Sequence, residues 1–218
     1  MVYNPKDYYY RKAKEENYAA RSVFKLQEID NRLRVFRPGM KVLDLGAAPG
    51  SWSQYASAKI GKHGRVLGID IQPIKITLPN ALFLTADMRE LDLGKTMAEN
   101  GIEPPFDMVL SDMAPKTTGY RLQDQMRSLE LCELALETAE RFLKSDGTYI
   151  CKIFHSDEFD NYRARLRERF AKIDIIKPKS VREGSKEIFF VARGFKGSAK
   201  ESADPSRSAG NSGNRTDY

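Results

Sequence analysis

The segment Val42–Trp52 constrains the fold of this chain more than any other part of its sequence. It begins with a short apolar run that predicts a buried strand, passes through a turn with two glycines and a proline, and continues into a helical pattern. Because the turn Gly46–Gly50 carries little side-chain bulk, its main-chain N–H groups can approach a ligand closely. An open α/β sheet makes its first ligand contact in this way, at the carboxyl end of its first strand. The dinucleotide-binding pattern G-x-G-x-x-G is absent, which argues against a dinucleotide.

Strand and helix patterns alternate along the rest of the chain. Short apolar runs that end near a glycine or an acid predict five strands: Lys41–Gly46, Arg65–Asp70, Ala81–Asp87, Asp107–Asp112 and Thr148–Phe154. Helical patterns lie between them, most clearly at 122–143 and 158–170, and this alternation indicates a parallel sheet covered on both faces. Two further strands, Lys172–Pro178 and Glu187–Ala192, are joined by a connection too short for a helix. The last strand is therefore predicted to run antiparallel.

The positive charge of the chain lies at its two ends. The formal net charge is +6, of which residues 1–41 and residues 172–200 each carry +5, whereas residues 42–171 carry −3 and residues 201–218 carry −1. This distribution favours a polyanionic partner such as a nucleic acid, although ordinary solvated helix faces would give the same count. We divide the chain into a helical extension at 1–40 that would contact the nucleic acid, an α/β domain at 41–196 and a disordered tail at 197–218.

The composition excludes several other classes of protein. A hydrophobic content of 41% with 30% charged residues is typical of a globular chain. No apolar run approaches the roughly 20 residues that a membrane helix needs, and the N-terminus lacks the apolar core of a signal peptide. The two cysteines, Cys132 and Cys151, lack metal-ligand spacing. We interpret them as reduced core residues of a cytoplasmic protein without a metal site.

Four aspartates stand at or near the predicted carboxyl ends of the first four strands: Asp44, Asp70, Asp87 and Asp112. Ligands of an open α/β sheet bind at this edge. Asp70 stands where an acid binds a ribose diol, and Asp87 is placed to accept a hydrogen bond from the exocyclic amine of a base. One such aspartate often only caps a turn, but four beside a glycine turn predict a nucleoside cleft. Acids without a phosphate-binding loop suit S-adenosylmethionine, whose sulfonium is cationic.

Two charged residues occupy unusual positions in the later strands. Lys152 interrupts the apolar strand Thr148–Phe154, where an unpaired charge is costly, so it is either a functional residue or an edge lysine that reaches solvent. Glu187 opens the last strand, whose antiparallel direction puts its start at the same sheet edge as the carboxyl ends of the parallel strands. Lys25 has no unusual position on the predicted N-terminal helix, and its context alone favours a surface lysine.

Five segments, in order, resemble the FtsJ/RrmJ (RlmE) family of ribosomal RNA 2′-O-methyltransferases: Ala20–Leu26, Leu43–Tyr55, Leu110–Pro115, Cys151–Phe154 and Lys177–Glu187. The resemblance extends from about residue 7 to residue 195. It implies a Rossmann-like class I methyltransferase fold that uses S-adenosylmethionine, with a seven-stranded, mostly parallel sheet and an antiparallel last strand. Ser51, where many relatives have glycine, and Val181 depart from the family pattern.

The resemblance also implies roles for particular residues. The family's catalytic tetrad corresponds to Lys25, Asp112, Lys152 and Glu187, and its cofactor contacts correspond to Gly50, Trp52, Asp70, Asp87 and Asp112. The implied reaction transfers a methyl group from S-adenosylmethionine to a ribose 2′-hydroxyl, expected on a uridine of large-subunit (23S) ribosomal RNA. A hydroxyl is a poor nucleophile until its proton is taken or strongly hydrogen-bonded. We hypothesise that Lys152 is the base or orients the hydroxyl, and that Lys25 steers the ribose.

Two alternatives remain open. The segment Tyr9–Lys14 resembles the N-terminus of transfer RNA 2′-O-methyltransferases of the same superfamily, whereas the strand exit Ser111–Pro115 differs from their Cys-Asp-Gly-Ala-Pro pattern and favours ribosomal RNA. A non-catalytic RNA-binding factor for ribosome assembly could keep the same fold, but the intact tetrad argues against it. We expect a monomeric enzyme that acts on ribosomal RNA within the large subunit, without membrane association.

Overall fold

The computed structural model describes residues 5–116, 118–154, 156–182 and 184–197. Its centre is a seven-stranded sheet with the order β3-β2-β1-β4-β5-β7-β6. The strands are β1 (Lys41–Leu45), β2 (Arg65–Asp70), β3 (Ala81–Thr85), β4 (Phe106–Ser111), β5 (Leu143–Phe154), β6 (Phe170–Ile176) and β7 (Glu187–Phe195). Strands β1 to β5 pair in parallel, and β7 runs antiparallel to both β5 and β6. The predicted α/β fold with an antiparallel last strand is confirmed.

Helices cover both faces of this sheet. They are α1 (Pro5–Glu15), α2 (Val23–Leu33), α3 (Ser51–Ile60), α4 (Leu93–Glu99), α5 (Arg121–Phe142) and α6 (Phe159–Arg169). Because side chains alternate along a strand, neighbouring residues of β1 face opposite layers. Val42 packs with α2 and α3, and Leu43 packs with α4, α5 and α6. The fold therefore has three layers, with a hydrophobic core on each side of the sheet.

The N-terminal helices belong to one of these cores. Ala13 of α1 and Val23, Leu26 and Ile29 of α2 are buried in the same hydrophobic cluster as Trp52 of α3. This packing fixes α2 against the sheet. The predicted disordered tail, 197–218, lies outside the described residues apart from Gly197. In the described part of the chain, every helix is too short or too polar to cross a membrane.

Strand β5 and helix α4 differ from the sequence prediction. Strand β5 begins at Leu143 rather than Thr148, because Leu143 already pairs with Phe106 of β4 before an irregularity in the ladder. The polar residues of 144–147 hide this pairing in the sequence. Helix α4 was not singled out either, since seven residues give little periodic signal. Its clearest local mark is Asp92, whose side chain caps the helix by accepting a hydrogen bond from Lys95 N.

Candidate active site

Four charged side chains meet at the sheet edge where β4 and β5 end and β7 begins. Lys25 comes from α2, Asp112 follows β4, Lys152 lies on β5 and Glu187 opens β7. Lys152 Nζ lies 2.9 Å from Asp112 Oδ1, and Lys25 Nζ lies 3.9 Å from the same oxygen. Lys25 Nζ also lies 2.8 Å from Glu187 Oε2. The structure thus joins the four residues of the implied tetrad into one chain of alternating charge.

Lys152 is enclosed by the protein. The residue is 4% exposed, and β5 lies between β4 and β7, so Lys152 is not a solvated edge lysine. Its Nζ donates a hydrogen bond to the main-chain oxygen of Asp112 at 2.8 Å, in addition to the ion pair with the Asp112 carboxylate. A buried amine that is paired and hydrogen-bonded in this way avoids the large penalty of an isolated buried charge. Asp112 therefore fixes the position of the Lys152 amine.

Lys25 reaches the cluster because of how α2 packs. Its helix neighbours Val23 and Leu26 are fully buried, and the Lys25 side chain extends towards Glu187 and the ring of Phe189, 5.7 Å away. Its acidic partner Glu187 lies 162 residues further along the chain. Local sequence context carries no signal for a contact of this separation, which is why only the family resemblance suggested Lys25.

The turn Gly46–Gly50 needs glycine at both its first and its last position. Gly46 and Gly50 have φ angles of +74° and +111°, in the left-handed region that other residues rarely adopt. A Cβ atom at Gly46 would lie 2.6 Å from Met113 Cγ, and the side chain of Ile76 fills the space beside Gly50. Asp70 fixes the turn because its carboxylate accepts hydrogen bonds from Ala48 N at 2.9 Å and from Gln72 N at 2.7 Å. The predicted ligand-binding turn is thus held in one conformation.

Trp52 contributes its side chain to the core. The residue is 3% exposed, its Nε1 donates a hydrogen bond to Ser22 O at 2.9 Å, and its ring packs 5.8 Å from that of Phe189. The indole therefore connects α3 to the start of α2 and to the sheet. The main-chain N–H of Trp52 lies in the first turn of α3, where N–H groups have no partner within the helix.

Asp87 is paired with a neighbouring arginine. Its Oδ1 accepts hydrogen bonds from Arg89 N and Nε, both at 3.0 Å, and its Oδ2 accepts one from Arg89 Nη2 at 2.6 Å. These hydrogen bonds lower the pKa of Asp87 to about 2. The carboxylate is therefore charged at neutral pH and held in a fixed orientation next to the end of β3.

Asp44 is a buried acid with one unused oxygen. Its Oδ2 accepts a hydrogen bond from Ser53 Oγ at 2.6 Å, whereas among the described residues no group donates a hydrogen bond to Oδ1. Burial raises the pKa of Asp44 to about 7; the Ser53 hydrogen bond opposes this rise, and the charges of Asp112 and Asp70 add to it. The sequence placed Asp44 among the strand-end acids but did not reveal that it is fully enclosed.

The acids at this edge fit a cationic ligand. Asp44, Asp70 and Asp112 are close enough to influence one another electrostatically, and Asp44 Oδ1 is a buried acceptor without a donor. Carboxylates arranged in this way favour positive charge between them. The described residues contain no cluster of three or more His, Cys, Asp or Glu side chains that could hold a metal ion. The donor set and the bulk-free turn thus suit an organic cation such as a sulfonium cofactor.

A basic loop lies beside Lys25. The connection between β6 and β7 is fastened to α2 by Glu28, whose carboxylate accepts hydrogen bonds from Lys179 N at 2.6 Å and Ser180 N at 2.8 Å. Arg21 donates a hydrogen bond to Ser180 O at 2.8 Å. Burial and the nearby positive charge of Arg182 lower the pKa of Arg21. Sequence reasoning missed Glu28 and Arg21 because their partners are distant in the chain.

The fold and the site together define an α/β methyltransferase. The family model described as FtsJ-like methyltransferase matches residues 18–195, most of the chain. The chain therefore belongs to the FtsJ-like methyltransferase family, which confirms the resemblance drawn from its sequence.

Individual relatives are similar over nearly their whole length. The chain is 60% identical over 191 residues to ribosomal RNA large subunit methyltransferase E of Bdellovibrio bacteriovorus, covering 88% of this chain and 97% of the relative. It is 49% identical over 195 residues to the protein of the same name from Nitratidesulfovibrio vulgaris, covering 88% and 94%. Among solved structures, a ribosomal RNA methyltransferase from Plasmodium falciparum matches with a TM-score of 0.73 at 28% identity, covering 83% of this chain and all of that one.

Proposed function

We propose that this protein transfers a methyl group from S-adenosylmethionine to a ribose 2′-hydroxyl of large-subunit (23S) ribosomal RNA, with a uridine as the target. The observation that carries this proposal is the linked cluster of Lys25, Asp112, Lys152 and Glu187 beside the glycine turn. The relatives named ribosomal RNA large subunit methyltransferase E support the choice of substrate.

The cofactor is proposed to lie between the glycine turn and the strand-end acids. Gly50, Asp70, Asp87 and Asp112 would contact it through their main chains or carboxylates, and Trp52 through its main chain. When bound, S-adenosylmethionine supplies an electrophilic methyl group on a cationic sulfur. The carboxylate of Asp112 would stabilise that positive charge and fix its position relative to Lys152, and the carboxylate of Asp70 would bind the ribose diol of the cofactor.

Lys152 is proposed to orient or deprotonate the ribose 2′-hydroxyl. Asp112 holds the Nζ on two sides, through a hydrogen bond to its main-chain oxygen and through the charge of its carboxylate. A lysine nitrogen has a third position, which carries a donor when the amine is protonated and can instead present a lone pair when it is neutral. In the first state Lys152 orients the 2′-hydroxyl, and in the second it accepts the proton. Both states need the amine to be held where Asp112 holds it.

Lys25 and Glu187 are proposed to place the ribose on this amine. Their ion pair is less buried than Lys152, with side-chain exposures of 13% and 20% against 4%. Lys25 is therefore the cation of the cluster that an incoming nucleotide meets first. Glu187 restrains Lys25 and in that way fixes where the ribose and its neighbouring phosphate lie.

The basic surface of α1, α2 and the β6–β7 loop is proposed to bind RNA. Arg21, Lys179 and Arg182 lie on the same side as Lys25, and α1 adds exposed residues Arg11 and Lys14. Such a surface neutralises phosphates irrespective of base sequence. We further propose a monomeric cytoplasmic enzyme whose substrate is the RNA within the large subunit.

A pair of Lys152 variants tests the mechanism. Because Lys152→Ala removes the amine that orients or deprotonates the hydroxyl, the rate of single-turnover methyl transfer should fall by roughly 10²–10⁴-fold. S-adenosylmethionine and RNA affinities should stay near normal. Lys152→Arg keeps the charge but misplaces its donors and cannot act as a neutral base, so it should be nearly as slow. Near-normal transfer by the arginine variant would contradict a role as base.

Lys144 provides the matched control for these variants. It lies on the same strand at the opposite end, in an ion pair with Asp107. Lys144→Ala should transfer methyl groups at the normal rate, and melting temperatures of all three variants separate catalysis from stability. Large-subunit RNA, assembled subunits and transfer RNA offered in parallel identify the substrate. Methyl transfer to transfer RNA alone would overturn the ribosomal assignment without affecting the proposed role of Lys152.

A further inference from the structure

Strand β5 is no longer paired with β4 at the position of Lys152. The ladder between β4 and β5 ends with the pair Ser111–Cys151, whereas β5 continues to Phe154. On its other side β5 stays paired with β7, with Lys152 opposite Phe189 and Phe154 opposite Glu187. The main chain from Lys152 to Phe154 thus lies beyond the last β4 partner. Its buried polar groups need other partners, because an unpaired buried donor or acceptor destabilises the fold.

Two side chains of α5 take the place of β4. Cys132 Sγ donates a hydrogen bond to the main-chain oxygen of Lys152 at 3.1 Å, and Ser128 Oγ accepts one from Phe154 N at 3.2 Å. Ser128 and Cys132 are each 2% exposed. They are four residues apart on one helix, so both face the sheet from the same side.

This side is opposite to the one that holds the Lys152 amine. Ile150, two residues before Lys152, packs in the core of α2 and α3, whereas Cys132 and Cys151 belong to the core of α5 and α6. The side chain of Lys152 is therefore fixed from the face of α2, and its main chain from the face of α5.

Cys132 is itself held in place. Its main-chain oxygen accepts hydrogen bonds from Tyr162 Oη at 3.0 Å and Tyr149 Oη at 3.3 Å, and the two hydroxyls lie 3.1 Å apart. Tyr162 comes from α6 and Tyr149 from β5 itself. The thiol that contacts Lys152 thus belongs to a helix turn tied to two neighbouring elements.

We propose that Ser128 and Cys132 are positioning residues that orient the Lys152 side chain towards the ribose hydroxyl. They fix the main chain at Lys152 and Phe154 and so fix the origin of the lysine side chain. A displacement of about 1 Å in a reacting group can lower a rate by as much as 10²-fold. The inference rests on the proposed function of Lys152 and adds two residues that act through it.

Variants of both positions test the inference by single-turnover methyl transfer at saturating substrate. Cys132→Val keeps the volume but removes the donor, and Ser128→Ala removes the acceptor; each should slow transfer between roughly 5- and 100-fold. S-adenosylmethionine affinity, measured by calorimetry, should change less than about twofold. Cys132→Ser keeps a donor and should restore most of the rate.

The combination with Lys152→Ala separates positioning from general destabilisation. If Cys132 acts through Lys152, Cys132→Val should not lower the methyl-transfer rate further in the Lys152→Ala background, because the amine that Cys132 positions is absent. An equal fractional loss in both backgrounds would overturn the inference, as would a Cys132→Ser variant as slow as Cys132→Val. Thr138→Val is the matched control and should leave the rate unchanged. Thr138 is a buried residue of α5 whose hydroxyl, among the described residues, bonds only to Leu134 O of the same helix.

The outcomes distinguish this inference from the proposed function. If Lys152→Ala transfers methyl groups normally, the proposed role of Lys152 fails. If Lys152→Ala is slow but Cys132→Val and Ser128→Ala match the parent rate, the role of Lys152 stands and only the positioning role fails.

Discussion

Asp44 shows how one buried residue can give the whole molecule a pH dependence. It lies near the end of β1, is fully buried and, within the described part of the chain, is hydrogen-bonded through one oxygen only. A carboxyl group whose pKa is higher in the folded state than in the unfolded state binds its proton more tightly when the protein is folded. Asp44 therefore stabilises the fold in acid and loses that contribution as the pH rises.

The contribution of Asp44 to the stability of the protein should accordingly fall between pH 4 and pH 7. The pKa of Asp44 is raised from 3.8 to about 7, so the unfolded state releases the proton first and the free energy of unfolding decreases until the folded state also titrates. Asp44→Asn removes this titration and should lack that part of the decrease. Denaturation by urea at several pH values measures it, with Glu99→Gln, an exposed acid, as control. Parallel curves for the parent protein and Asp44→Asn would contradict the assignment.

Asp87 is a residue whose partner must be included in any test. Its carboxylate is held by Arg89, so removing Asp87 also releases an arginine. Asp87→Ala should weaken S-adenosylmethionine binding by about tenfold or more, because it removes the proposed acceptor for the adenine amine. Arg89→Ala keeps the acceptor and should have a smaller effect. Calorimetry compares the two variants; unchanged affinity in Asp87→Ala would exclude the adenine site proposed there.

At the scale of elements, the β6–β7 loop depends on α2 for its position. Glu28 accepts hydrogen bonds from two successive main-chain N–H groups of this loop, and Arg21 donates to the carbonyl of the second residue. The same helix carries Lys25. The basic loop and the cluster of four charges are therefore parts of one unit built on α2.

Loosening this attachment should affect RNA more than the cofactor. Glu28→Gln keeps the size of the side chain but replaces a charged acceptor by a neutral amide, a loss of about 1 kcal/mol that corresponds to roughly fivefold in affinity. We expect the RNA dissociation constant to increase roughly fivefold and the S-adenosylmethionine dissociation constant to stay unchanged. Filter binding and calorimetry provide the two values, and equal loss of both would mean that Glu28 supports the fold rather than the RNA surface.

At the scale of the whole molecule, the helices α1 and α2 and the loop between β6 and β7 pack together on one α/β domain. Helix α1 is part of the core, since Ala13 is buried and the ring of Tyr9 packs 5.4 Å from that of Phe24. Deleting the N-terminal residues would therefore remove packing as well as charge. Exposed charges on α1 allow the two effects to be separated.

The double variant Arg11→Gln and Lys14→Gln should weaken RNA binding while leaving the melting temperature near that of the parent. Fewer neutralised phosphates also mean a flatter salt dependence, so the slope of log affinity against log salt should decrease by about 2. The cofactor dissociation constant should not change. An unchanged salt slope would show that α1 does not contact the phosphates.

Local sequence patterns predicted the strands, most of the helices, the glycine turn and the acids at the strand ends. These features depend on local patterns: apolar runs, glycines at positive φ, and an acid or turn residue where a strand stops. Family resemblance added Lys25, whose context gave no signal. Strand β5 was predicted too short, because its first polar residues resemble a turn and become a strand only by pairing with β4.

Which of these residues meet depends on the tertiary structure. In the folded chain Lys25 pairs with Glu187, which is 162 residues away in the sequence. The indole of Trp52 lies in the core, and Asp87 forms an ion pair with Arg89. The tertiary structure also encloses Asp44 and brings Ser128 and Cys132 to the end of β5. Such contacts depend on how helices pack across a sheet, and a local pattern carries no information about a partner that arrives from a distant element.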